Sequence, residues 1–242
     1  MNDLDALRAA RERVLDQIAR ACARVGRDPA GVTLVAVSKT VPAERLVAAV
    51  AAGLTILGEN RVQEAEAKVG ALTGATWHLI GPLQSNKARR ALVAFDVIES
   101  VDSLELAARL DHLAAEVRPD GRFPVLLQVN VDADPAKSGF APDALAAALP
   151  RLAEFARLDV RGLMTVGRLV ERPEDARSTF AALRELSERL CSSGGTGGVG
   201  AGSPPLGPAL SMGMSDDYPI AVEEGATIVR VGRALFGERP HP

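Results

Sequence analysis

Hydrophobic positions along this chain change period in a regular rhythm. From residue 4 to residue 25, Leu4, Leu7, Val14, Leu15, Ile18, Cys22 and Val25 recur on one helical stripe, with Arg, Asp and Glu opposite. Gly26 and Pro29 follow as helix-stop chemistry. The period then collapses into VTLVAVSK, a nearly unbroken β-branched run of the kind buried on both faces of a parallel sheet. Pro42 opens a second helical pattern that continues to about residue 52, a position where its missing N–H costs nothing.

The alternation repeats to the end of the chain. Strand-like runs fall at TILGEN, TWHLIG, FDVIES, FPVLLQVNV, LDVRGLMTV, ALSMG and ATIVRVG, with helical patterns at 60–71, 84–94, 103–116, 142–156, 173–191 and 216–224. Counting VTLVAVS, eight strands in strict βα alternation predict an α/β protein with a parallel sheet wrapped by helices. Closed on itself, such a sheet is a single (β/α)8 TIM-type barrel, with reactive residues at the C-terminal ends of its strands. An open doubly wound sheet is the competing architecture.

The 242 residues suit one domain spanning 1–242. The Gly/Ser/Pro-rich stretch at 192–208 is expected to be a flexible surface loop, because it has little apolar surface to bury. It contains Gly195, Gly197 and Gly200 in a dinucleotide-fingerprint spacing, but Pro204 and Pro205 stand where a helix should begin, so the match reads as accidental.

Hydrophobic residues form 47% of the chain, enough for a substantial core. Twenty-eight Lys+Arg face 31 Asp+Glu, for a formal charge of −3, which provides no basic field for nucleic acid or membrane surface. A phosphate ligand must therefore be held by local geometry. Cys22 and Cys191 lack metal-ligand spacing and read as reduced thiols. The charged N-terminal stretch is unlike a signal peptide, and no apolar run nears the ~20 residues of a membrane span. A cytoplasmic protein is expected.

Lys39 is the most informative residue. It follows the apolar run of the first strand, where its amine would emerge at the active rim of a barrel. Desolvation there favours the neutral amine, which condenses with aldehydes. A lysine snorkelling to solvent is the alternative. Ser211-Met212-Gly213-Met214-Ser215 follows a short strand and opens a helix, offering backbone N–H groups to a phosphate. An ordinary Ser N-cap explains the same residues. Gly232 ends the last strand, and barrels often grip phosphate with the loops after strands seven and eight. Arg230 shares the face of Gly232 among uncharged neighbours, so its guanidinium points inward and needs a ligand or a carboxylate partner.

Taken in order, LVAVSKTVP, ILGENRVQE, WHLIGPLQSNK, VNVDADPAKSGF, RGLMTV and LSMGMSDDYPIAVEEGATIVRVGRALFG give the whole chain, apart from 192–208, a resemblance to the pyridoxal-phosphate homeostasis protein family. That family is similar to the barrel domain of bacterial alanine racemase, which implies a barrel with an extra N-terminal helix. The resemblance makes pyridoxal 5′-phosphate the cofactor and Lys39 its Schiff-base lysine. It places Asn60 beside the ring, His78 in the pocket lining, Met164 and Thr165 on another wall, Ser211, Gly232 and the backbone of Arg233 at the phosphate, and Arg230 at the pyridine nitrogen. A guanidinium there leaves no room for a ring-nitrogen proton and weakens the ring as an electron sink.

The implied role is carriage and homeostasis of the cofactor without substrate turnover. Apo forms of pyridoxal-phosphate enzymes are the expected recipients, and a monomer is the expected state. An amino-acid racemase is the alternative, since racemases of this fold also place an arginine at that nitrogen. Racemisation needs acid–base groups on both faces, commonly a lysine and a tyrosine. The single tyrosine, Tyr218, reads as a surface or capping residue, and no second domain after the eighth βα unit is expected to bring another. A barrel that forms a Schiff base with a phosphorylated sugar or ketone fits Lys39 and the phosphate loops from physics alone. Lys87 and Lys137, both just after strands, are candidates to accept the aldehyde transiently during release.

Overall fold

The computed structural model describes residues 2–168, 170–193 and 206–237. Eight strands run in order around a closed, all-parallel barrel: β1 (Thr33–Val37), β2 (Ile56–Glu59), β3 (Thr76–Leu79), β4 (Val97–Val101), β5 (Phe123–Gln128), β6 (Leu158–Met164), β7 (Ala209–Ser211) and β8 (Ile228–Val231). Seven lie within the run that their hydrophobic pattern predicts, and β4 extends one residue beyond FDVIES, to Val101. Pairing of β8 with β1, in the register Val35 to Arg230, closes the cylinder and rules out the open sheet.

The helices are α1 (Asp3–Arg24), α2 (Ala43–Ala51), α3 (Val62–Val69), α4 (Ala88–Ala94), α5 (Leu104–Val117), α6 (Pro142–Leu152), α7 (Arg177–Ser193), α8 (Tyr218–Glu223) and α9 (Arg233–Phe236). α1 begins where the Asn2 side chain accepts the Asp5 N–H, and Asp3 and Asp5 favour its positive end. Its buried stripe, Leu7, Ala10, Val14, Ile18, Ala21 and Cys22, packs against α2, α8 and α9, bridging the first and last βα units. Each fully buried Leu, Ile or Val there contributes about 1.5–3 kcal/mol. Val25 was expected on the stripe, but the helix ends at Arg24 and leaves it exposed.

Several helical patterns overshoot their helices, and for two of them the reason is local. Arg61 is extended, at φ −135° and ψ 134°, so α3 starts after it. Ser85–Lys87 winds as a 3-10 turn before α4. The loop expected at 192–208 begins later than its composition suggests, because α7 runs to Ser193; its part at 194–205 lies outside the described residues. Among the described residues no helix is long and apolar enough to cross a membrane, and no His/Cys/Asp/Glu group is arranged for a metal ion. Cys22 and Cys191 carry free thiols.

The main core lies between strands and helices, while a smaller cluster of Val97, Leu126 and Met164 fills part of the lumen with Val166, Ala209 and Ile228. Between β5 and β6 the register shifts by one residue at Val125/Leu126. Gly162 sits beside that shift, where an added Cβ would lie 1.9 Å from the Ala209 carbonyl oxygen of β7. Gly162→Ala forces the two strands apart. It is expected to cost at least the 1–3 kcal/mol usual for overpacking, roughly, read as a lower urea midpoint by circular dichroism. An unchanged midpoint would contradict this close approach.

Candidate functional site

Period-two alternation along the strands decides which side chains enter the lumen. Glu99 shares the inner face of Val97, Ser211 that of Ala209, and Arg230 that of Ile228. These residues form one buried polar chain with His78 of β3. His78 Nδ1 lies 2.6 Å from Glu99 Oε1, and Ser211 Oγ lies 2.5 Å from Glu99 Oε2. Arg230 donates to Ser211 Oγ at 2.5 Å and to the Thr165 carbonyl oxygen at 2.7 Å. Its guanidinium is 3.9 Å from Glu99 Oε2.

Burial by itself pushes the Glu99 carboxyl up, but the His78 hydrogen bond, the His78 and Arg230 charges and the Ser211 hydroxyl outweigh it and hold it below the usual carboxylate range. Burial pulls the Arg230 guanidinium down, against the charges of Glu99 and Asp217. An arginine nevertheless stays cationic at any ordinary pH.

Above this chain, at the C-terminal rim, opens a cleft of about 320 Å³, at the lower end of small-molecule sites. Lys39 reaches it from just beyond β1, Asn60 from the end of β2, Ile80 from the end of β3, Val166 from beyond β6, and Gly232 and Arg233 from the end of β8. The loop between β7 and α8 adds Met214, Ser215 and Asp216. That loop turns at Gly213, φ +88°, where a Cβ would meet Ala221 Cβ at 2.5 Å. It is tied down by Asp217, whose Oδ1 accepts the Met214 N–H at 2.6 Å. Burial pushes the Asp217 carboxyl up.

The Gly232 N–H donates to Ser215 Oγ at 3.1 Å, joining the loops after β7 and β8. Arg233 pairs with Asp216. Lys39, Arg230 and Arg233 thus face the cleft with one carboxylate, Asp216, a balance suited to an anionic ligand. A nucleophilic amine, a fixed guanidinium and hydroxyl and amide groups converge on a volume that fits one small molecule.

Residues 12–240 match the alanine racemase N-terminal domain family. The pyridoxal phosphate homeostasis protein of Pseudomonas aeruginosa is 43% identical over 94% of this chain and 96% of its own length. The chain belongs to that family. The Escherichia coli K12 member is 39% identical, with 94% of each chain covered. PipY of Synechococcus elongatus, solved with PLP bound, is 43% identical, covers 91% of this chain and all of its own, and superposes with a TM-score of 0.76.

Of the residues singled out in the sequence, Lys39, Asn60, Arg230, Gly232 and Arg233 line the cleft together. The other four stand behind it. His78 is turned to Glu99, and the Ser211 hydroxyl is engaged between Glu99 and Arg230. Met164 belongs to the apolar lumen cluster, and Thr165 donates its hydroxyl to the Val129 carbonyl while its own carbonyl holds Arg230. Ser215, four residues beyond Ser211 in the same motif, is the serine on the cleft wall. Val166 takes the wall position expected of Met164 and Thr165. Glu99 was not among the residues singled out in the sequence, although a carboxylate inside the apolar strand run VIESV carried the same buried-charge signal as Arg230.

Lys87 lines a neighbouring cleft that shares Asn60, whereas Lys137 lies 3.5 Å from Asp134 and lines neither. Tyr218, expected as a surface or capping residue, is buried at the start of α8 and donates to Gln17 of α1 at 2.6 Å.

Glu99→Gln leaves Arg230 without its carboxylate and is expected to cost about 3–5 kcal/mol at neutral pH. Because folding lowers the Glu99 pKa, its stabilisation is complete above the unfolded value of about 4.3 and disappears as pH falls through the folded one. Urea unfolding of both proteins at several pH values should show the gap narrowing in acid. A gap that stays constant would remove the charged form of Glu99 from the explanation.

Proposed function

We propose that this protein binds pyridoxal 5′-phosphate, holds it covalently on Lys39, and carries and buffers it for apo enzymes that need it, without turning over a substrate. The observation that carries the reading is the single cleft joining the Lys39 amine to the Arg230 guanidinium. When bound, the cofactor supplies an aldehyde that reacts reversibly with amines and a phosphate that needs donors. Lys39 provides the amine. The Gly232 amide, the Ser215 hydroxyl and Arg233 are the nearby groups for the phosphate, and Asn60 lines the wall between Lys39 and Ile80. Arg230, with donors only, is matched to a ring nitrogen that carries no proton.

Glu99, Ser211 and Thr165 hold Arg230 from behind, so a cationic donor is fixed at the cleft, an arrangement that a carrier and a racemase share. The tyrosine is what favours carriage over catalysis. The hydroxyl of the single tyrosine is buried against Gln17, and burial pushes its pKa up to about 12, far from a working base. The relatives named for homeostasis rather than for a reaction support the same reading. A cytoplasmic monomer that takes neither nucleic acid nor membrane as partner completes the proposal.

Purified protein supplied with pyridoxal phosphate is expected to absorb in the violet. Borohydride should trap the cofactor on the peptide containing Lys39, and Lys39→Ala should abolish both signals. L- and D-amino acids should give no turnover. A colourless protein, or trapping mainly at another lysine, would overturn the site; racemisation at a useful rate would overturn the carrier role and keep the site.

A further inference from the structure

The residues just before Lys39 and Asn60 are Ser38 and Glu59, both fully buried, and a lysine from the helical layer grips them together. Lys68 of α3, itself buried, donates from Nζ to Glu59 Oε1 at 2.7 Å and to the Ser38 carbonyl oxygen at 2.9 Å. The Ser38 hydroxyl donates to the same Glu59 oxygen at 2.7 Å. The Ser38 carbonyl belongs to the peptide unit whose N–H is that of Lys39, so Lys68 acts on the backbone that carries the cleft amine.

That backbone is strained. Thr40, directly after Lys39, has φ +65°, an unfavourable conformation for a β-branched residue. The turn is closed by the Val41 N–H, which donates to the same Ser38 oxygen at 3.0 Å. Strain of this kind persists only where neighbouring contacts over-determine it. The ion pair is a poor device for stability alone, since burying both charges costs as much as their attraction returns. Glu59 Oε2 is buried with no hydrogen-bond partner, a further cost.

We propose that Lys68 is a positioning residue, holding the Ser38–Val41 turn so that the Lys39 amine is delivered into the cleft, with Glu59 as its buried counter-charge. This deepens the reading of Lys39 as the covalent anchor and rests on it.

The test compares Lys68→Met with the double variant Lys68→Met/Glu59→Gln in the full-length protein. Two quantities are measured: the urea midpoint, and the rate and pH profile of borohydride-trappable pyridoxal phosphate attachment at Lys39. The single variant should lose both stability and attachment. The double variant removes the orphaned carboxylate and should regain stability, yet attach about tenfold more slowly, the factor that 1.4 kcal/mol of lost positioning represents. A double variant that regains wild-type attachment along with stability overturns the proposal. Should neither variant fold, Lys68→Arg keeps a charged donor and should attach as wild type does; a folded Lys68→Arg with attachment reduced tenfold or more overturns the proposal equally. Absence of any link in the wild-type protein overturns the functional reading itself, and this inference with it.

Discussion

A guanidinium inside the lumen of a small barrel sets the terms for everything around it. Arg230 cannot shed its proton, and an unpaired charge in that environment is not tolerated. The structure answers with partners drawn from across the cylinder: Ser211 on β7, the carbonyl after β6, and Glu99 on β4, itself steadied by His78 on β3. A strand that slipped by one residue would turn its member of this chain to the other face and leave charges uncompensated. The register of half the barrel is therefore tied to one buried polar network.

The network also divides the lumen. Val97, Leu126 and Met164 form an apolar layer, and the polar side chains occupy the same inward faces toward the rim. Arg230 is shared between the two roles, anchored by protein groups on one side and open to the cleft on the other. Such a group presents fixed charge to a ligand without rearrangement. Lys68 and Glu59 do for the Lys39 turn what Glu99 and Ser211 do for Arg230: buried polar groups behind the cleft restrain a residue in front of it. Both pairs favour geometry over stability, as expected where a site must hold a small molecule in one orientation.

The barrel and much of its rim were legible along the chain. Continuous β-branched runs separated by helical stripes are local consequences of burial on both faces of a strand and one face of a helix, so all eight strands form at their predicted runs, β4 overrunning its own by one residue. Lys39 and Gly232 follow from position, because the ends of parallel strands gather on one rim, whereas Asn60 and Arg233 came from the family resemblance. Even the need of Arg230 for a partner followed from an inward-facing charge among apolar neighbours.

What the chain by itself determined is thus whatever depends on the period of the backbone and on the identity of residues at strand ends. Tertiary structure alone decided who meets whom across the lumen and from the helical layer. Glu99 and Ser211 are 112 positions apart and touch only because closure brings β4 and β7 to face each other. Lys68 looks like one more polar residue on a surface helix until α3 packs beneath the ends of β1 and β2. Ser211 and Ser215 are equivalent by motif; the turn at Gly213 sends one hydroxyl into the network and the other to the cleft. Each of these contacts is set by the cylinder's geometry, and no local pattern encodes a distance measured through the interior.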